Sequence, residues 1–172
     1  MEERRSKERV ITIEIYTDGS SKQYGQVMRF GGWAYIVLYD SNIIHQDCNS
    51  EYGATNQRME LTAVANALEY IQKIRRPSEK VIIYSDSAYL VNCWGQKWYK
   101  KWLENGWHNS KGVPVANMEL WFKLIPFFDN FWYEFRKIPG HSGVIWNERC
   151  DALAQNEAEK LKLNWRGIKN DG

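Results

Sequence analysis

The chain has 172 residues, of which 44% are hydrophobic, and a formal net charge of +2. That is one domain with a real core, and a balance so mildly basic that any acidic partner must be met by a local patch. Three scattered cysteines (Cys48, Cys93, Cys150) without a CxxC pair argue against a disulfide framework and a zinc site, and no run approaches transmembrane length.

Residues 1–9 are almost all charged and lack the apolar stretch of a signal peptide. They read as a solvated tail or linker remnant. A soluble cytoplasmic protein is expected (nuclear or organellar if eukaryotic), with no membrane association and a monomeric state. A domain over 10–163 should follow, then a loop-like tail over 164–172.

Val10 to Asp18 alternates, with Ile11, Ile13 and Ile15 on one side and Glu14, Tyr16 and Asp18 on the other. This period of two predicts a strand. Two further strands, 31–38 and 42–48, are joined by the turn residues "YDSN", which predicts an antiparallel hairpin. The segment before them, "SSKQYGQVMRF", reads as a loop. Thr55 to Ile74 is the clearest helix, with Leu61, Val64, Leu68 and Ile71 on one stripe. "RRPSEK" ends it, and Lys80 to Ser85 is a fourth strand. Helix resumes from Ser87 through a Trp- and Lys-rich stretch. Asn117 is placed as the N-cap of a helix to about Phe127. "NFWYEFRKI" is a fifth strand, "PGHSG" a loop, and Asn147 to about Lys162 a last helix. The order βββαβααβα predicts an α/β fold with a mixed sheet flanked by helices.

Two strands end on the same pattern, "IYTDGS" at 15–20 and "IYSDSA" at 83–88. Taken singly, Asp18 and Asp86 read first as turn-starting residues. On parallel neighbouring strands, equivalent positions lie roughly 4.8 Å apart. Two carboxylates that close repel by up to roughly 4 kcal/mol at a moderate dielectric, and a divalent cation is the natural compensation. Glu60 shares a helix face with Val64, Ala67 and Ile71, and Asp151 shares one with Ala154 and Ala158. Each of these acids also suits a helix N-terminus by itself. Together the four form an oxygen-only set suited to Mg²⁺ or Mn²⁺ and to phosphodiester hydrolysis.

"YTDGS" at 16–20, "TNQRMEL" at 55–61, "YSDS" at 84–87, "PGHSG" at 139–143 and "NERCDALA" at 147–154 follow in order along nearly the whole chain. In these motifs the sequence resembles ribonuclease H of type 1. The resemblance implies an RNase H-like fold: a five-stranded mixed sheet, three strands antiparallel and two parallel, with the first and fourth adjacent. It implies Asp18, Glu60, Asp86 and Asp151 as metal-binding catalytic carboxylates for two Mg²⁺ ions, with Mn²⁺ as a possible substitute. It implies endonucleolytic cleavage of the RNA strand of an RNA/DNA hybrid, leaving 5′-phosphate and 3′-hydroxyl ends, with His141 shuttling a proton or aiding product release.

The same resemblance supplies the substrate contacts. Asn56 and Gln57 would meet the 2′-hydroxyls that mark RNA. Thr55 and Asn117 would form a DNA-phosphate pocket. Trp94, Trp98 and Trp102 recur every four residues among lysines. They resemble the family's basic protrusion, in which Tyr89, Trp98 and Trp102 would contact sugars while Lys97 and Lys101 neutralise phosphates. Gly53 and Glu104 stand where relatives carry basic residues, and the hybrid-binding domain of many relatives is not in this sequence. Other nucleases of the fold, such as resolvases and integrases, would lack "TNQRMEL" and the Trp/Lys protrusion. A catalytically silent nucleic-acid-binding module would have lost a carboxylate, and all four are present.

Overall fold

The computed structural model describes residues 9–26, 28–138 and 144–170, and the "PGHSG" segment with His141 lies outside them. The elements are β1 (Thr12–Tyr24), β2 (Met28–Tyr39), β3 (Asn42–Tyr52), α1 (Asn56–Ile74), β4 (Lys80–Ser85), α2 (Ala88–Gln96), α3 (Trp98–Glu104), α4 (Met118–Phe128), β5 (Tyr133–Lys137) and α5 (Ile145–Asn170). One five-stranded sheet runs β3-β2-β1-β4-β5. β1, β2 and β3 are antiparallel in sequence, while β4 pairs parallel with both β1 and β5. The expected mixed sheet is therefore present, with its first and fourth strands side by side.

The alternation in β1 sends its residues to two different layers. Ile13 and Ile15 enter the larger core with α1, and Tyr16 joins Ile36, Leu38 and Cys150 of α5 on the opposite face. In α1 the predicted stripe of Leu61, Val64, Leu68 and Ile71 is buried to within 1%. Each such side chain contributes about 1.5–3 kcal/mol of burial before entropy is counted. The Thr55 hydroxyl accepts from the Arg58 amide at 3.1 Å and starts the helix. All three cysteines are free, and burial pushes the Cys93 thiol up to about 12, which makes it inert.

Several local expectations are corrected. The segment read as the first loop is a hairpin: β1 continues to Tyr24 and pairs with Met28, with Gly25 at φ +63° in the turn. Asp18 therefore lies inside a strand opposite Ala34, rather than at a strand end. The Trp/Lys stretch is two helices, because Lys97 takes a left-handed conformation between α2 and α3. Trp94, Trp98 and Trp102 consequently share no single stripe. Asn117 precedes α4 as placed, yet it too is left-handed and makes no side-chain capping bond. Residues 164–170, read as a tail, continue α5 to Asn170, because Trp165 packs against Phe30 and Tyr24. His45 is structural as expected, stacked on Tyr70 at 3.9 Å and 3.2 Å from the Tyr35 hydroxyl. His108 contacts the Asn105 backbone.

Candidate active site

Register places the two echoed aspartates. Ile15 pairs with Ile83 and Tyr16 with Tyr84, where the parallel ladder ends. Two residues further along each chain come Asp18 and Asp86. The Thr17 hydroxyl donates to the Tyr84 carbonyl at 3.1 Å and holds the strands together past the last ladder pair. Ser85 and Ser87 frame Asp86: the Ser87 amide donates to the Ser85 hydroxyl, and the Ser87 hydroxyl caps α2 by accepting from the Leu90 amide.

Two helices bring the other acids, and each approaches across a glycine. A Cβ on Gly19 would lie 2.3 Å from the Glu60 amide nitrogen, so α1 meets β1 at its backbone and carries Glu60 to the site. A Cβ on Gly32 would lie 2.0 Å from the Ala154 carbonyl oxygen and 2.8 Å from the Ala158 nitrogen. The small residues of α5 thus sit directly on β2 and set Asp151 at the site's rim. One cavity of about 190 Å³ is lined by Asp18, Glu60, Asp86 and Asp151, with Asn56 and Asn147 among its other walls.

Carboxylate oxygens of Asp18, Glu60 and Asp86 all lie within 4.8 Å of one another. Asp18 is 5% exposed. Burial, then the neighbouring Asp86 charge, push its carboxyl up to about 8, against the Gly19 amide, which donates at 2.8 Å and favours the ionised form. Burial, then Asp86, push Glu60 up to about 7, opposed by the Ser87 hydroxyl. Asp151 faces Asp18 from α5 and raises its carboxyl further, and the Gln155 amide donates to both Asp151 oxygens at 3.0 Å. A set of hard oxygen donors that resists ionisation by itself fits a divalent cation, whose charge reverses that preference.

The candidate substrate residues fall into three places. Asn56 lines the acid cavity, and Gln57 hydrogen-bonds Tyr89. Thr55 and Asn117 are bridged by a residue to which the sequence reading gave no role, Arg58. Its guanidinium donates to the Asn117 side-chain amide oxygen at 3.2 Å, to Glu51 at 2.7 Å and to Glu119. Its i+3 spacing from Thr55 was the available signal; the link to Asn117 crosses 59 residues and had none. Tyr89, Trp98, Lys101 and Trp102 line one hollow of about 360 Å³. Trp102 is only 5% exposed, packed between Trp107 and Trp121, so little of its ring is open to a ligand. Lys97 lines a separate groove beside β5 with Trp94 and Phe131.

The RNase H family model matches residues 11–159. Ribonuclease H of Syntrophomonas wolfei subsp. wolfei is 43% identical over 152 residues, covering 87% of this chain and 97% of that protein. The solved structure of LC9-RNase H1, a type 1 RNase H with the type 2 active-site motif, is 28% identical at a TM-score of 0.73, covering 88% of this chain and 74% of that one. LC11-RNase H1, solved in complex with an RNA/DNA hybrid, shares the fold at 22% identity and a TM-score of 0.63, covering 87% of this chain and 98% of that one. With a family model spanning the sheet, α1, the first part of α5 and every carboxylate of the cavity, the chain belongs to the RNase H family.

Proposed function

We propose that this protein is a divalent-metal-dependent endonuclease that hydrolyses the RNA strand of RNA/DNA hybrids. The observation that carries the reading is the convergence of Asp18, Glu60 and Asp86 oxygens within 4.8 Å in a member of the RNase H family. The hybrid as substrate is supported by that membership and by LC11-RNase H1, a protein of the same fold solved with such a duplex.

Asp18, Glu60, Asp86 and Asp151 would hold two Mg²⁺ ions, with Mn²⁺ as a substitute. When bound, these ions supply the charge that activates a water for in-line attack and stabilises the departing 3′ oxygen, leaving 5′-phosphate and 3′-hydroxyl ends. The protein's part is to keep four carboxylates fixed and partly dry, so that their full charge is expressed only against a cation. Asn56, beside the acids, and Gln57, held by Tyr89, face the 2′-hydroxyls that distinguish RNA. Thr55 and Asn117, joined by Arg58, receive a DNA phosphate. Tyr89, Trp98 and the small exposed part of Trp102 support the DNA strand, with Lys101 and Lys97 neutralising its phosphates. His141 relays a proton or hastens product departure. The catalytic unit is residues 10–163, acting as a monomer. Among the described residues no helix is long and apolar enough to cross a membrane.

The test is a cleavage comparison with Mg²⁺ and with Mn²⁺. The substrates are a uniform RNA/DNA hybrid, an RNA duplex, a DNA duplex and a DNA duplex holding one ribonucleotide. Metal-dependent cutting of the hybrid's RNA strand is expected. Binding without cutting in either metal would instead mark a silent binding module.

A further inference from the structure

The family match ends at residue 159, yet α5 continues to Asn170. Residues 160–170, "KLKLNWRGIKN", contain four basic residues and no acid. The extension packs on the β1–β2 hairpin through Trp165, whose ring meets Tyr24 and Phe30 edge-on, each at 5.6 Å. Three cations rest on these rings. Arg166 lies 4.6 Å and Lys162 5.7 Å from the Tyr24 centroid, and Lys169 lies 4.2 Å from that of Trp165. An ion pair would cancel such charges; a ring face only positions them. On the turn before the extension, Glu159 pairs with Lys22 at 3.1 Å and also faces Lys162 and Arg166, and Glu157 pairs with Lys160 at 3.2 Å. Among the described residues Lys22, Lys160, Lys162, Arg166 and Lys169 face only these two acids, so the cluster keeps a surplus of positive charge on a chain whose total is only +2.

Its position relative to the carboxylates follows from two independent elements. From Asp18 to Tyr24 is six strand residues, about 20 Å. From Asp151 to Trp165 is fourteen helical residues, about 21 Å. The two run alongside one another, with Ala154 against Gly32 and Trp165 against Phe30. The cluster therefore stands about 20 Å from the acids. It shares no residue with the Tyr89–Trp98 hollow or with the Thr55–Asn117 pair.

We infer that Lys162, Arg166 and Lys169, set on Tyr24 and Trp165, form a second contact for the sugar-phosphate backbone of the hybrid duplex, about 20 Å from the cut. The inference rests on the hybrid-cleaving reading. It extends the footprint on long duplexes and leaves the chemical step alone.

The test measures binding of 8- and 20-base-pair RNA/DNA hybrids, with Ca²⁺ in place of Mg²⁺ to hold turnover, across a salt series. Three proteins are compared: wild type, the triple variant Lys162→Ala/Arg166→Ala/Lys169→Ala, and the charge-keeping Lys162→Arg/Arg166→Lys/Lys169→Arg. The alanine variant should bind the 20-mer about tenfold more weakly, with the slope of log affinity against log salt reduced by about 2 to 3. Its binding of the 8-mer, and its single-turnover rate with Mg²⁺ at saturation, should be unchanged, which also reports an intact fold. The charge-keeping variant should match wild type. Equal losses on both lengths, or no loss on the 20-mer, overturns the assignment while wild-type cleavage leaves the hybrid reading standing. A wild type that neither binds nor cuts hybrid overturns both.

Discussion

The rings of Tyr16 and Tyr84 stack at 4.8 Å with planes 17° apart. They are paired residues of two parallel strands, and each stands two residues before a site aspartate. The stack lies at the last rung of the ladder and fixes the register that brings Asp18 beside Asp86. A one-residue slip would turn one aspartate to the opposite face.

Asp86→Asn should keep the fold and hybrid binding while lowering Mg²⁺-dependent cleavage by at least about 10³-fold, because a charged oxygen donor is replaced by a neutral one. Single-turnover kinetics with binding measured in parallel checks this. Turnover within tenfold of wild type would remove Asp86 from the catalytic set.

The pH dependence of metal-free stability has a definite sign. Asp18 and Glu60 are raised in the folded state to about 8 and about 7. The folded protein therefore binds more protons than the unfolded chain above about pH 4, and its stability falls as pH climbs toward 8. Glu134, lowered to about 2 by Arg136 and Lys80, has the opposite sign, but its window closes below pH 5. In chelator, the melting temperature should drop between pH 5 and 8. Mg²⁺ should raise it more at pH 8 than at pH 5. Asp18→Asn should flatten the metal-free profile, and an unaltered slope in that variant would show that the acids are not its source.

Gly32→Ala should destabilise by about 1–3 kcal/mol and disturb cleavage as well, since the added methyl meets the Ala154 carbonyl at the α5 backbone. Gly25→Ala, with nothing within 4 Å of its Cβ, is the control: it carries only the strain of its positive φ. Urea titrations of both, with steady-state rates, separate the two effects. Loss of activity in both variants alike would deny Gly32 its particular role in seating Asp151.

Trp98 and Trp102 should part company. Trp102→Ala opens the core between Trp107 and Trp121 and should cost about 3–5 kcal/mol of stability. Trp98→Ala, half-exposed against Tyr89, should leave stability nearly intact and cost about 1–3 kcal/mol of hybrid binding. Melting curves and anisotropy titrations on the same preparations distinguish these outcomes.

The element order allowed a parallel crossover between the first and fourth strands, the family resemblance implied that they are neighbours and named the four acids that line the cavity, and the inward face of α1 was legible outright. The reason is that period-two and period-3.6 patterns encode which face is buried. The Ile-Tyr-x-Asp echo even carried the register, since identical residues pair at Ile15–Ile83 and Tyr16–Tyr84. The break at Lys97 was illegible. Tryptophans spaced by four continue a helical pattern, and only the competing claims of Phe135 on Trp94 and of Trp121 on Trp102 force a left-handed residue between them. The far end of α5 was missed likewise: "NWRGIKN" has a weak helical pattern until Tyr24 and Phe30 of a distant hairpin receive Trp165. By itself the sequence determined which residues carry charge and which face of each element seeks the core. The tertiary structure alone decided how closely the acids meet, because that distance depends on two backbone contacts, Gly19 with α1 and Gly32 with α5. Those contacts join residues far apart in the chain, and no local period records them.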